Sequence, residues 1–469
     1  MLGLARCAPR PGRSASRENP VPAKIPRDDA SPSQDRLVEA EAYLQGLINI
    51  ERAPSYAGAR LSLAPIEALL AKLGNPERAL RVLHIAGSKG KGSTALLAEA
   101  LLGAAGLRVG TFTSPHLERW TERFRIDGRE IEGDRLADAV ERLRPALDAL
   151  RGGSEPPSFF DATTAAALLL FAEEQLDVAI LEVGLGGRLD STNAVTPAVS
   201  CITTIELEHT EKLGTTHAAI AGEKAGIAKP GAPLVTGALV PEAAAVVLKR
   251  ARELGAPLAR LGEEFTVELL AESLDALRVR FRDGAFACEF TLGVAGRHQA
   301  ANAALALACA RRLRVVDDAA LARAAQAAFA HPVLPARIEI ISRAPWIVID
   351  GAHTEESAKA LAHVLAQIPR RSAHLVVSIS AGKALAAICA ALAPHANRVT
   401  VTRAEPIRSL TPAEVADAMR AIAPGLELRV VPNPHLALRA AREATGPEDL
   451  LCATGSFYLA GIARSVLRI

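Results

Sequence analysis

Net charge is nearly absent from this chain: 54 Lys and Arg against 52 Asp and Glu leave a formal +2 over 469 residues. That balance gives no electrostatic footprint for nucleic acid or for an anionic membrane surface. Long hydrophobic runs are missing as well, since no uninterrupted apolar stretch reaches the roughly 18 residues a spanning helix needs. Only six cysteines occur, at positions 7, 201, 288, 309, 389 and 452, far apart and without a C-x-x-C pair. Most sit in apolar runs and read as buried small hydrophobes in a reducing compartment, so a cytoplasmic location is expected. Aromatic residues make up just 3% of the chain, so an adjacent pair of rings stands out. Neither an internal repeat nor a heptad is present. Residues 1–34 lack apolar periodicity and mix Pro, Arg, Ser and Asp, a stretch that cannot bury enough surface to order itself. A disordered tail is predicted there. Met1 to Cys7 is too short an apolar region for a secretory signal, and the Arg-rich start leaves an organellar transit peptide as the alternative.

What remains is a composition of 49% hydrophobic and 23% charged residues, enough for a large core, at a length that suggests two or three domains. Within it, His84-Ile85-Ala86-Gly87-Ser88-Lys89-Gly90-Lys91-Gly92-Ser93 lies between a strand-like run and a helix-like run stopped by Gly106. Glycines let successive amides face inward, the helix start adds positive potential, Lys91 supplies a mobile point charge and Ser93 a hydroxyl. That combination is a polyphosphate cradle. The match to G-x-x-x-x-G-K-[ST] is imperfect, because Ile85 stands at the first Gly and Gly92 follows the lysine. A plain Gly-rich strand–helix turn is the bland alternative.

Apolar runs at 81–86, 108–113, 178–183, 199–205 and 233–237 predict buried parallel strands. Helical patterns at 161–175, with Asp161 as N-cap, and at 241–254 lie among them, which predicts a doubly wound sheet. Alternation over 265–290 with a turn at Asp283-Gly284 predicts a small antiparallel patch. A second series opens with a helix at 298–312 and continues with strands at 347–350, 375–380, 398–402, 427–431 and 450–453. It predicts a second α/β domain, with the boundary near 293–296 and the site between the two domains.

Further motifs follow the loop in order: Thr113-Ser114-Pro115-His116-Leu117, Glu122-Arg123-Phe124-Arg125, Leu181-Glu182-Val183-Gly184-Leu185-Gly186-Gly187-Arg188-Leu189-Asp190-Ser191-Thr192-Asn193, His209-Thr210, Glu223-Lys224-Ala225-Gly226, Gly296-Arg297-His298-Gln299, Pro335-Ala336-Arg337 and Asp350-Gly351-Ala352-His353. From about Ala40 to the C-terminus, this order resembles the folylpolyglutamate synthase/dihydrofolate synthase family, a branch of the ATP-dependent Mur ligase superfamily. The resemblance implies an α/β protein: an N-terminal, doubly wound P-loop ATPase domain, Mur-ligase-like, at 35–295, and a C-terminal, Rossmann-like glutamate-ligase domain at 296–469. It implies a monomer that joins L-glutamate to dihydropteroate or a folate with ATP and Mg2+, and a monovalent cation as a further candidate.

Residue by residue, the resemblance assigns ATP to Ser88, Lys89, Gly90, Lys91, Gly92, Ser93, Asn302, Arg337 and Asp350. Magnesium falls to Ser114, Glu182 and His209. Glu182 is the best of the three on chemistry, since a carboxylate within an apolar run is costly to bury without a cation. Ser114 as a turn cap and His209 as a loop histidine remain open. Lys224 looks like an ordinary surface charge, but the resemblance implies a lysine converted by CO2 to a carbamate; Lys91, Lys224 and His209 are the catalytic candidates. The pterin-bearing substrate falls to Ser158, Phe159, Phe160, Asp161, Leu189, Asp190 and Ser191, with the Phe pair able to stack on a flat heteroaromatic or, alternatively, to sit in the core. His353 is a further candidate.

Four positions depart from the family pattern: Lys89 for the usual Asn, Asp161 for Glu, Thr354 for Asn, and Gly382 in Ser380-Ala381-Gly382-Lys383 for an acidic residue. The last two keep open a Mur-type ligase for a different acid or amino acid. A P-loop switch or motor and a dead paralogue are the other classes. No guanine-reading or arginine-finger motif supports a switch or motor, and the retained Lys91, Ser114, Glu182, His209 and Lys224 oppose a dead paralogue.

Overall fold

The apolar runs of the first half become the strands of one sheet in the computed structural model, which describes residues 32–49 and 62–468. These are β1 Val82–Ala86, β2 Val109–Phe112, β3 Phe124–Ile126, β4 Arg129–Glu130, β5 Val178–Glu182, β6 Val199–Ile202, β7 Leu234–Thr236 and β8 Leu258–Arg260. Their order is β4-β3-β2-β5-β1-β6-β7-β8. β1 is central, parallel to β5 and β6, and every residue in these three strands is buried, as the continuous apolar runs require. The sheet is mixed rather than wholly parallel. β3 returns antiparallel on β2 and pairs with β4, a hairpin too short and polar to show in the apolar pattern.

An antiparallel sheet of β9 Phe265–Glu272, β10 Leu277–Asp283 and β11 Phe286–Leu292 occupies the expected place. β11 alternates buried and exposed residues, and its buried face joins the core around the helix His298–Leu313. A second mixed sheet follows: β12 Glu339–Arg343, β13 Trp346–Ile349, β14 Ala373–Val377, β15 Arg398–Val401, β16 Glu427–Val430 and β17 Leu450–Thr454, in the order β12-β13-β17-β14-β15-β16. β12 alone runs antiparallel, on β13. Apolar cores cover both faces of this sheet.

Three sequence expectations change. The helix His298–Leu313 and the next, Asp318–Phe329, are rich in alanine and pack into the first core with β1, β5 and the helix Lys91–Ala104. The first core therefore takes in both helices beyond the expected 295/296 division, while Ala295 itself joins the second core. Asp161 is not an N-cap: Ser158 caps the helix Phe159–Glu173, and Asp161 closes the capping box three residues on. The expected tail, residues 1–34, lies outside the described residues except for its last three, which open the helix Pro32–Gln45.

Among the described residues, five cysteines are present, all free and buried. No helix among them is long and apolar enough to cross a membrane.

Candidate active site between two sheets

The Gly-rich loop leaves the C-terminal end of β1, where ligands sit in sheets of this kind, and runs into the helix Lys91–Ala104. Its glycines are demanded by close approach. A Cβ on Gly87 (φ 150°) would lie 1.8 Å from Thr203 Oγ1, and one on Gly90 (φ 84°) 2.4 Å from Asn302 Oδ1. Gly92 explains the imperfect motif: its missing side chain would point 3.3 Å from Glu182 Oε2 and 3.5 Å from Arg337 Nη2. A Ser or Thr there would crowd both. Ile85, at the other mismatch, is a buried strand residue paired with Glu182 and Cys201. The Ser88 and Lys89 amides are already taken, by Thr204 O at 2.8 Å and Thr204 Oγ1 at 2.9 Å. The leading N–H groups of the helix's first turn, which have no intrahelical partner, remain available to an anion. Gly90→Ala is expected to weaken ADP binding at least about tenfold, because the residue must hold a left-handed backbone against Asn302; calorimetric titration with ADP checks it.

Three lysines meet over this loop. Lys91 Nζ and Lys224 Nζ both donate to Gly87 O, at 3.0 and 2.9 Å. Lys224 lies 3.5 Å from Glu208 Oε1, and Lys89 Nζ 3.2 Å from Glu208 Oε2. Burial works against the Glu208 carboxylate, yet Lys89, Lys91 and Lys224 outweigh it and hold its pKa well below the usual range. Lys89 and Lys91 set positive charge at the loop, against Glu208 and Glu206, where a polyphosphate would lie. Lys224 is not a surface lysine. It is 2% exposed, and burial, with Lys91 adding, pushes its pKa down to about 8 against the pull of Glu208.

Glu182 ends β5, buried, and accepts from the Ser114 amide at 3.0 Å. Burial raises its pKa, while Lys91, that amide and Arg337 oppose the rise. A buried hard oxygen beside the phosphate loop fits magnesium, which needs few protein ligands when water and phosphates complete its shell. Ser114 is its neighbour; His209 has Glu208, Lys383 and Lys91 around it, and burial pushes its pKa down to about 4. Its side chain is 43% exposed and its nearest acid is Glu211, at 3.9 Å. Among the described residues no three His, Cys, Asp or Glu side chains cluster as a metal site.

The second sheet contributes Arg337, stacked 4.2 Å over the Phe457 ring, and Asp350. Asp350 accepts from the Ile338 and Ala352 amides at 2.8 and 2.7 Å, and burial pushes its pKa up to about 6. His353 receives Lys89 Nζ at 2.9 Å, so one ammonium touches both halves of the molecule. Asn302 donates to Gln299 Oε1 at 2.8 Å.

Beyond the same end of Glu182's strand, Ser191 Oγ donates to Asp161 Oδ1 at 2.6 Å, and Ser158 holds Asp161 Oδ2 through its amide and hydroxyl. The two substrate segments are thus brought together. Leu189 is half-buried beside them. The Phe pair divides: Phe159 is a core residue against Trp120 and Arg123, whereas Phe160 is half-buried, packed on Phe112 with ring centroids 6.0 Å apart and along Gly184. Sequence reasoning missed Glu208, Thr204 and Gln299. The adjacency of Glu208 to His209 signals the first, the motif Gly296-Arg297-His298-Gln299 contains the third, and nothing local marks Thr204.

Residues 85–310 match the Mur ligase middle domain, and residues 336–457 the Mur ligase, glutamate ligase domain. The folylpolyglutamate synthase of Lacticaseibacillus casei is 35% identical over 408 residues, which cover 85% of this chain and 92% of that protein. The chain belongs to the folylpolyglutamate synthase/dihydrofolate synthase family. Among solved members, the Mycobacterium tuberculosis folylpolyglutamate synthase complexed with ADP superposes with a TM-score of 0.84 at 32% identity, covering 92% of this chain and 98% of that one. Escherichia coli FolC in complex with DHPP and ADP gives 0.80 at 29% identity, covering 93% and 99%. A probable bifunctional folylpolyglutamate synthase/dihydropteroate synthase of Haloferax volcanii is 34% identical over 418 residues, but this family member spans 48% of its length.

Proposed function

We propose that this protein is an ATP-dependent ligase that joins the α-amine of L-glutamate to the carboxylate of dihydropteroate, of a folate, or of both. The convergence of Lys89, Lys91 and Lys224 on a Gly-rich loop faced by Glu182 and Arg337 carries the reading. The acceptor carboxylate attacks the γ-phosphorus of ATP and ADP leaves, giving an acyl phosphate. The glutamate amine then adds to the acyl carbon, loses its proton, and the tetrahedral intermediate expels phosphate to leave the amide. Lys91 and the helix start bind the transferred phosphoryl oxygens, where charge develops. Arg337 and Asp350 bring the second domain to the nucleotide. Glu182, with Ser114 beside it, would hold magnesium, which would supply charge neutralisation on the phosphates.

Relatives named for both dihydrofolate and folylpolyglutamate synthesis support either acceptor. The five free, buried cysteines support a reducing compartment such as the cytoplasm. ADP release by the purified protein, across dihydropteroate, dihydrofolate, tetrahydrofolate and non-pterin acids with and without glutamate, tests the proposal. Turnover that needs both a pterin acid and glutamate is expected. Turnover with a non-pterin acid alone would move the chain to another Mur-type reaction, for which Thr354 and Gly382 are the motivating positions.

A further inference from the structure

The loop that carries Ser114 reaches the second domain. Its residues just past Ser114 are held on their own side by Glu122, whose carboxylate accepts from the Leu117, Glu118 and Arg119 amides at 2.8, 3.1 and 3.0 Å. Across from them runs the last helix, Phe457–Leu467. Leu117 packs on the core that this helix shares with the second sheet, and its carbonyl comes so near Gly461 that a Cβ there would fall 2.2 Å from the oxygen. Three residues on, Arg464 forks. Its Nε donates to Glu118 Oε1 at 3.1 Å and its Nη1 to Glu339 Oε2 at 3.1 Å. Arg468 stands 3.5 Å from the same Glu118 oxygen. The Arg464 side chain is only 12% exposed, and its two acids 15% and 25%, so water screens these pairs less than it screens a surface bridge.

Glu339 connects this fork to the other side of the site. The oxygen that receives Arg464 also accepts from the Ala336 amide at 2.9 Å. Ala336 and Ile338 both hold left-handed backbones, with φ of 54° and 53°, and Arg337 stands between them. A β-branched residue keeps that conformation only where its surroundings enforce it. Here Asp350 takes the Ile338 amide at 2.8 Å, Ala336 O takes the Gly351 amide at 3.0 Å, and Glu339 takes the Ala336 amide. The first two anchors lie wholly within the second domain. The third is tied through Arg464 to the first. From this turn Arg337 reaches the phosphate helix, where its Nη2 lies 3.5 Å from the place of a Cβ on Gly92. We propose that Arg464 is a positioning residue for the ligase reaction: forked between Glu118 and Glu339, it clamps the Ser114 loop of the first domain to the Arg337 turn of the second. Two groups that face the phosphates from opposite domains are thereby held as one unit, by a side chain that belongs to neither loop.

The inference rests on the reading of Ser114 and Arg337 as groups of a ligase site, and the test separates the two. ADP release is followed on the full chain with glutamate and the acid that turns over, dihydropteroate or tetrahydrofolate, beside calorimetric ADP affinity and the melting temperature. Arg464→Met keeps the apolar stem and loses both hydrogen bonds; Arg464→Lys keeps the charge and loses the fork. The clamp predicts kcat about tenfold lower in each and ADP binding about threefold weaker. The KM for the acid should stay within about twofold of wild type, since the pocket of Phe160, Asp161 and Ser191 shares no residue with the clamp. Glu118→Met should lose about as much, and the double variant Glu118→Met/Arg464→Met no more than Arg464→Met alone. Wild-type kcat in Arg464→Met or in Arg464→Lys overturns the clamp, as do losses that multiply in the double variant. A lower melting temperature with kcat per folded molecule unchanged leaves Arg464 a merely structural role and overturns it too. Should Arg464→Met fail to fold, Arg464→Lys and Glu118→Met decide by the same measures. Ser114→Ala and Arg337→Met test the site itself. If both turn over as wild type does, the ligase reading of these groups fails and the inference with it. If both are impaired while Arg464→Met is not, the clamp alone fails.

Discussion

Lys224→Arg is expected to be as inactive as Lys224→Ala, at least about a hundredfold below wild type in ADP release driven by pterin acid and glutamate. Two roles are open to this side chain. As an ammonium, it would add a third cation to the loop, and arginine would serve. As a carbamate, it needs a neutral amine to attack CO2 and shed a proton, which arginine cannot provide. The surroundings favour the second role. Burial brings the amine down to about 8, so half of it is neutral near that pH rather than a trace. The sign follows: the neutral fraction, and with it uptake of CO2, rises as pH increases through 8 and falls below it. The product is an anion, and Lys89 and Lys91 lie close enough to offset both it and Glu208. Activity should depend on dissolved CO2, and short carboxylic acids should partly restore Lys224→Ala by filling the vacated anionic position. If Lys224→Arg retained activity, positive charge would be the requirement and the carbamate assignment would be wrong.

The contrast between Lys224 and the strands shows what the sequence carries. Val178–Glu182 and Val199–Ile202 were legible because burial on both faces of a parallel sheet forces a continuous apolar run. Glu182 stood out for the same reason, as one charge where none belongs. The burial of Lys224 has no such trace. It comes from the helix His217–Ala225 laying its last turn against Gly87, a contact between residues far apart in the chain. Glu208 is engaged only because two lysines from separate elements reach it. Neither the occupied amides of Ser88 and Lys89 nor the core position of Phe159 could be read locally, since each depends on a partner supplied by another segment. The domain division slipped for a related reason. The alanine-rich helix His298–Leu313 follows a turn at Gly296 and looks like the start of a new series, but its small side chains let it sit deep in the first core.

Glu182→Gln is expected to abolish turnover by at least about a hundredfold while preserving the fold, since the amide matches the carboxylate in shape. Loss of activity alone would not separate a metal ligand from a counter-ion for Lys91 and Arg337, both of which act on this carboxylate. ADP affinity does, when measured with and without magnesium. In wild type, added magnesium should tighten ADP, because the ion screens phosphate from a carboxylate set against the first turn of the phosphate helix. In Glu182→Gln, ADP in the presence of a chelator should bind as well as in wild type or better, since one negative charge near the phosphates is gone. The tightening by magnesium should largely disappear. A counter-ion role predicts a different pattern: two half-buried cations left without their acid would lower the melting temperature and disturb ADP binding equally with and without the metal. A variant whose ADP affinity still responds to magnesium as wild type does would remove Glu182 from the metal site, and the search for the ligand would move to the phosphates and the loop around His209.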